Sequence, residues 1–200
     1  MEPRPSLRDE QVAQTRAALV SASRRLFGER GFAATSVEDI ARDARVTTGA
    51  LYHHFPTKTA LFESVFEQIH AELLQESAEA ALALPVGVEQ LFRGSEAFLD
   101  AVLRPDVARI LVIDAPSVLG LARFTELDER YAVAATVVVI EAAVRAGTLD
   151  VADPETVARL WMGVLTRAGL LIASSPDPTK TRNDVAAAMR SLLAGITRQQ

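Results

Sequence analysis

Apolar positions along this chain recur at the spacing of a helix and not of a strand. From Arg8 to Arg30, Val12, Leu19 and Leu26 repeat every seven residues, with Val20 and Phe27 beside the last two, which predicts a helix with one apolar stripe. Gly31 follows where a helix commonly ends through a left-handed residue. Either Thr35 with Glu38 or Ser36 with Asp39 fits a capping box, so a second helix starts there. Its buried face is Val37, Ile40, Ala41 and Ala44. Arg45-Val46-Thr47 interrupts that face and offers a new cap. A third helix, Thr48 to His54, ends ahead of Pro56, which disfavours helical backbone at the residue before it. Thr57 then caps a long fourth helix in which Leu61, Val65, Ile69 and Leu73 form one row out to about Leu82.

Leu84-Pro85-Val86-Gly87 reads as a turn, and the pattern beyond it predicts helices near 87–103, 105–118, 121–146, 154–174 and 177–198. Asp153-Pro154 and Asp177-Pro178 each place an Asp cap before a proline at the first helical position. The β-branched run from Thr136 to Ile140 would pass for a strand in isolation. Its alanine-rich flanks and lack of turn signals keep it helical. The expectation is an all-α protein of about nine helices, with the first eight or so residues and the last few disordered.

Composition narrows the chemistry. The chain has 200 residues, 49% hydrophobic and 24% charged, enough apolar mass for a core. It has no cysteine and three histidines, which removes disulfides, zinc fingers, iron–sulfur ligation and thiol nucleophiles and leaves little for a metal site. No cofactor is expected. The N-terminal stretch lacks the apolar core of a signal peptide. The longest uncharged apolar run, Tyr131 to Ile140, is half of the roughly 20 residues a spanning helix needs. A soluble, cytoplasmic protein without a membrane partner is expected. Net charge is −5, but it is unevenly placed: residues 1–60 carry 9 basic against 7 acidic residues, and residues 61–200 carry 12 against 19. Charge is therefore read by segment.

The informative segment is Gly31 to Lys58, GFAATSVEDIARDARVTTGALYHHFPTK. Two short helices joined by a tight turn at Ala44–Thr47 have the layout of a helix-turn-helix. With Val37, Ile40, Ala41, Val46 and Leu51 inside, the second helix presents Thr47, Thr48, Gly49, Tyr52 and His53. None is acidic, and short polar groups at a helix N-terminus suit the edges of bases in a major groove. Tyr52, His53, His54 and Lys58 line the helix exit, where they can hold phosphates. Thr35 and Ser36 lie at a helix start whose free N–H groups also favour an anion. Many all-α proteins share this spacing, so the pattern alone defines a candidate DNA reader and no more.

Ala13 to Val65 resembles the DNA-binding domain of TetR-family (tetracycline-repressor-like) transcriptional regulators. The likeness is carried by Ala22, Leu26-Phe27, Gly31-Phe32, Thr35-Ser36-Val37, Ile40-Ala41, Ala44, Val46-Thr47, the string Gly49 to Phe55, Lys58 and Leu61-Phe62. Arg45 departs from the pattern, standing at the turn position where the family usually has glycine. A left-handed conformation there costs Arg about 1 kcal/mol more than Gly; the side chain either loosens the turn or adds a phosphate contact. The resemblance implies a DNA-binding domain over 8–56 with its motif at about 36–55, and a ligand-binding and dimerisation domain over 57–200. It implies a homodimer on a palindromic operator, joined by a bundle of the helices at 154–174 and 177–198. Gly163, Ala168, Gly169, Ala173, Ala186, Ala187, Ala188 and Ala194 permit close approach of those helices, and Leu160, Leu165, Leu170, Val185, Met189 and Leu192 supply apolar contact.

The resemblance also implies an effector pocket among the central helices. Candidates are polar or aromatic groups set in apolar helix: His70, Phe98, Arg109, Asp114, Ser117, Phe124 and Trp161. Asp114, in Ile-Leu-Val-Ile-Asp-Ala-Pro, is the most prominent, with Pro116 placed to kink or end its helix. An apolar or amphipathic small molecule that prefers another arrangement of these helices would release the DNA. The chain contains no Gly-rich phosphate loop, no nucleophile–base motif and no metal-ligand spacing, so an enzyme is not expected. The alternative is a binding module of the same fold that answers to a protein partner or has no ligand.

Overall fold

The computed structural model describes residues 6–195 and contains nine helices and no strand among them. The first four are α1 (Leu7–Arg30), α2 (Val37–Asp43), α3 (Thr48–His54) and α4 (Lys58–Leu82). They are followed by α5 (Val88–Ala101), α6 (105–119), α7 (121–145), α8 (Pro154–Ala173) and α9 (Pro178–Ala194). The expected last turn of α9, out to residue 198, and the expected disordered ends lie mostly outside the described residues.

Local chemistry sets the helix starts. Ser36, Thr47 and Thr57 each accept a hydrogen bond from the backbone N–H three residues on, at 3.0, 3.1 and 3.0 Å. Of the two capping pairs the sequence allows, Ser36 with Asp39 makes the cap. Asp153 and Asp177 cap α8 and α9 ahead of their prolines. Arg45 is the one non-glycine among the described residues with a positive φ, at 58°. The turn keeps its left-handed shape and bears the cost.

The stripe on α1 packs only from Leu19 onward. Val12 is 46% exposed, because the first turns of α1 meet no apolar neighbour. Leu19, Leu26 and Phe27 meet Ile40 of α2, Leu51 of α3 and Leu61, Phe62 and Phe66 of α4 in one cluster that runs on into α6 and α7. Phe62 sits at the centre, 5.4 Å from Phe27 and 5.3 Å from Phe32 between ring centroids. Arg24 ties α1 to α4 and α6 through Glu72 at 2.6 Å and Asp106 at 2.9 Å. A second cluster joins α5, α7, α8 and α9 around Leu99, Ile140, Trp161, Ile172 and Met189.

Two helices depart from regular geometry. α6 consists of a short turn, a π-helical segment Ala108–Asp114 and a last turn Ala115–Leu119. α7 likewise contains a π-helical segment, Glu129–Val133, ahead of the β-branched run, which is helical as expected. Pro116 has no N–H to offer the carbonyls of the preceding turn, and the wide turn lies just before it. Each π segment rotates the residues beyond it relative to an uninterrupted helix.

α8 is long and mostly apolar, but Trp161, Met162, Leu165, Ala168 and Ile172 face the core. Its opposite side and that of α9 leave Leu160, Leu170, Leu171 and Leu192 exposed, with Gly163, Ala187 and Ala188 among them. The expected bundle set is thus smaller than the sequence suggests. Leu165, Ala168, Gly169, Ala186 and Met189 are buried within the chain, with Gly169 lying against Phe98 and Val112.

Candidate nucleic-acid interface and internal cavity

α2 and α3 are held at their turn by backbone bonds from Ala44 N–H to the Ile40 carbonyl and from Val46 N–H to the Ala41 carbonyl, both 2.9 Å. Val37, Ile40, Ala41, Leu51 and Phe55 are buried, which fixes the roll of α3. Its outer side presents Thr47, Gly49, Tyr52 and His53 as exposed residues, with Thr48 and His54 half-buried. Ser36 and Arg45 are exposed beside them. Tyr52 is 49% exposed, a large apolar ring left in water. Gly49 has no internal reason to be glycine: a Cβ there would meet only the Thr47 hydroxyl, at 3.9 Å.

Two predicted contact residues point the other way. Thr35 is 1% exposed, and its hydroxyl donates to the Gly31 carbonyl at 2.8 Å, fastening the loop between α1 and α2. Lys58 donates from Nζ to the carbonyls of Phe32 at 2.8 Å and Thr35 at 2.9 Å, with its ammonium 4.0 Å from the Phe32 ring centroid. Burial pushes its pKa below the usual lysine value. Thr35 is thereby closed to a phosphate, and two of the three Lys58 ammonium donors are spent inside the protein. Lys58 thus staples the start of α4 to that loop, and the two carbonyls that select it carry no sequence signal.

Between α4, α5, α6, α7 and α8 lies a cavity of about 610 Å³, within the range of roughly 300–1,000 Å³ usual for small-molecule sites. The predicted residues His70, Phe98, Phe124 and Trp161 line it. Sequence reasoning missed Gln90, Ser95, Asp128, Thr136 and Met162, which also line it. Of these, Asp128 carried a usable signal: an acid beside Leu127 on an amphipathic helix.

Arg109, Asp114 and Ser117 are not in the cavity wall. The Asp114 carboxylate accepts from the Phe32 N–H at 2.8 Å. Arg109 lies on the same turn: a Cβ on Gly31 would come within 3.1 Å of Arg109 Nη1 and 3.4 Å of Asp114 Oδ2. Ser117 is exposed and donates to the Asp114 carbonyl at 2.9 Å. Asp114 therefore joins α6 to the end of α1, with Arg109 beside it, away from the cavity, and Ser117 bonds within α6.

Burial shifts two ionisable groups of the cavity wall in opposite directions. The His70 pKa is pushed down to about 4, with Nδ1 lying 3.3 Å from the Phe66 carbonyl. Burial pushes the Asp128 carboxyl up to about 6, with the charge of Glu129 adding to the effect. Trp161 donates to the Ser95 hydroxyl at 2.9 Å. Among the described residues, no cluster of three potential metal ligands occurs.

A helix-turn-helix on a three-helix head, packed on a larger helical part with an internal cavity, defines the architecture of a one-component regulator. Residues 19–65 match the family described as "Bacterial regulatory proteins, tetR family", and residues 88–196 match "Tetracyclin repressor-like, C-terminal domain". A TetR-family transcriptional regulator from Pectobacterium atrosepticum has the same fold, with a TM-score of 0.84 and 34% identity over 95% of this chain and 97% of that one. The HTH-type transcriptional regulator TtgR of Pseudomonas putida is 41% identical over 61 residues, 30% of this chain and 29% of the relative. CymR of Pseudomonas putida is 30% identical over 132 residues, 63% of this chain and 65% of the relative. The chain thus spans under a third of TtgR and just under two thirds of CymR. It belongs to the TetR family, whose members among these relatives are transcriptional regulators and not enzymes.

Proposed function

We propose that this protein is a DNA-binding repressor that a small apolar or amphipathic ligand releases from a palindromic operator, in the cytoplasm. Residues 8–56 read the DNA, and residues 57–200 bind the ligand and a second copy of the chain. Ser36, Arg45, Thr47, Thr48, Gly49, Tyr52, His53 and His54 remain as the contact set once Thr35 and Lys58 are assigned to the loop. The empty space outside Gly49 suits a closely approaching duplex, and the absence of acidic groups on that side avoids phosphate repulsion. The unpaired apolar sides of α8 and α9, with Leu160, Leu170, Leu171 and Leu192, are where a second copy would pack, giving two reading helices about a two-fold axis.

One observation carries the ligand-gated reading. α6 lines the cavity with Leu111 and Val112 and bonds the head through Asp114. A ligand that shifts α6 therefore acts on the α1–α2 loop directly, as linkage between two sites requires. The test is a binding titration against the DNA flanking the gene at two salt concentrations. Tight, salt-sensitive binding to one palindromic fragment is expected. Affinity no better than for random DNA would count against the regulator reading.

A further inference from the structure

Several polar groups of the inner cavity wall have their donors committed inside the protein, while Thr166 and Arg167 line it from the exposed side of α8. Ser77 donates to the Gly94 carbonyl at 3.2 Å, Ser95 to Leu91 at 2.7 Å and Thr136 to Ala132 at 2.8 Å. The Gln90 amide nitrogen reaches the Leu84 carbonyl at 3.0 Å, leaving its oxygen. His70 is neutral at pH 7, and Nδ1 carries its proton toward Phe66, so Nε2 is an acceptor.

Asp128 completes the set. It is half-buried on the cavity wall, and among the described residues no hydrogen bond or ion pair engages its carboxylate. Its neighbour Glu129 pairs with Arg159 at 3.4 Å, and Arg159 also pairs with Glu155 at 2.8 Å, so that cation at the rim is already neutralised. Arg167 lines the mouth from the exposed side of α8. The raised pKa of Asp128 is what burial without a counter-charge produces. Phe98, Phe124 and Trp161 add ring faces that attract positive charge.

We propose that the occupant of this cavity is an organic cation, an apolar body bearing one protonated amine that pairs with the Asp128 carboxylate. This rests on the reading of the cavity as a ligand site. A buried carboxylate without a partner is costly, and a charge-assisted bond to an ammonium removes that cost. A neutral ligand could at most donate a hydrogen bond and would leave the charge of the carboxylate uncompensated. An anionic one would face it across an apolar space.

The experiment uses three probes with one body, 3,3-diphenylpropylamine, 3,3-diphenylpropanol and 3,3-diphenylpropanoate, at pH 7.5. Trp161 is the only tryptophan of the chain and lies in the cavity wall, so its fluorescence reports binding in the full-length protein without DNA. The amine is expected to bind about ten-fold tighter than the alcohol, with the acid weakest. Asp128→Asn is expected to bring the amine down to the alcohol's affinity while leaving the alcohol unchanged and the helix content intact. If the acid binds best, the polar end belongs to Arg167 and the proposal is overturned. An amine advantage that survives Asp128→Asn also overturns it. If none of the three binds, the cavity is not a ligand site for such molecules, and the reading beneath the proposal fails with it.

Discussion

Asp114 and Phe32, 82 positions apart in sequence, are joined by a 2.8 Å hydrogen bond from the Phe32 backbone N–H to the Asp114 carboxylate. The carbonyl of the same Phe32 accepts from Lys58 Nζ, also at 2.8 Å. Both faces of one peptide-bonded residue, at the end of α1, are thus held by side chains from α6 and α4. Movement of either long element relative to the head must strain or break one of these bonds.

Asp114→Ala leaves the Phe32 N–H without its acceptor, at a cost of about 1–3 kcal/mol. Asp114→Asn keeps an acceptor oxygen in the same place. The expected result is a lowered melting temperature and faster exchange of the Phe32 amide in the Ala variant, with most of the loss recovered in the Asn variant. Equal loss in both would mean that charge, and not the hydrogen bond, makes the join.

Lys58→Met removes the two bonds to carbonyls that the ammonium makes and should destabilise the head by about 1.5–3 kcal/mol. The plot of log affinity for DNA against log salt should keep its slope, because no phosphate contact is lost. A lysine on a phosphate would lower that slope by about 1. A lower slope with unchanged stability would return Lys58 to the duplex.

Tyr52→Ala and His53→Ala remove exposed side chains that belong to neither core cluster. Their unfolding free energies should stay within about 0.5 kcal/mol of the parent, while binding to DNA weakens. Unchanged affinity in both variants would show that α3 does not meet DNA by this side.

His70 and Asp128 oppose each other in the dependence of stability on pH. The folded pKa of His70 is about 4 against an ordinary 6.5, so its unfolded form takes up a proton first and stability falls as pH drops from 6.5 to 4. Asp128 has a folded pKa of about 6 against an ordinary 3.8, so its contribution is fully present below 3.8 and is lost as pH rises through 6. Each amounts to about 3 kcal/mol at most, and between pH 4 and 6 they nearly cancel. Denaturant midpoints should therefore rise more steeply with pH than the parent's in Asp128→Asn and less steeply in His70→Gln. Parallel profiles for all three proteins would show that neither group titrates differently in the folded and unfolded chain.

Much of the fold is decided locally and is legible in the chain. Ser36, Thr47, Thr57, Asp153 and Asp177 mark helix starts because a cap is a bond to a backbone N–H two or three residues away. The apolar rows on α2, α3 and α4 show which sides are inside, and by elimination that Thr47, Gly49, Tyr52 and His53 are outside. Positions decided over long range are not legible. Lys58 reads as a surface cation until the carbonyls of Phe32 and Thr35 are placed beside it. Asp114 reads as a pocket residue, since it interrupts an apolar run, yet it faces α1 and not the cavity.

The nine helices and their caps depend on contacts within a turn or two of chain, so the order of residues is enough to specify them, and the apolar period marks the outward residues of α3. Long-range packing was needed to set Lys58 and Asp114 on the two sides of Phe32, and to turn Asp128 to the cavity without a partner. The π-helical segments Ala108–Asp114 and Glu129–Val133 lie at or beside Asp114 and Asp128. A wide turn advances the next side chains by a different angle from a regular helix, so the direction of a residue beside it is set by the neighbours it packs against and not by its place in a period of 3.6.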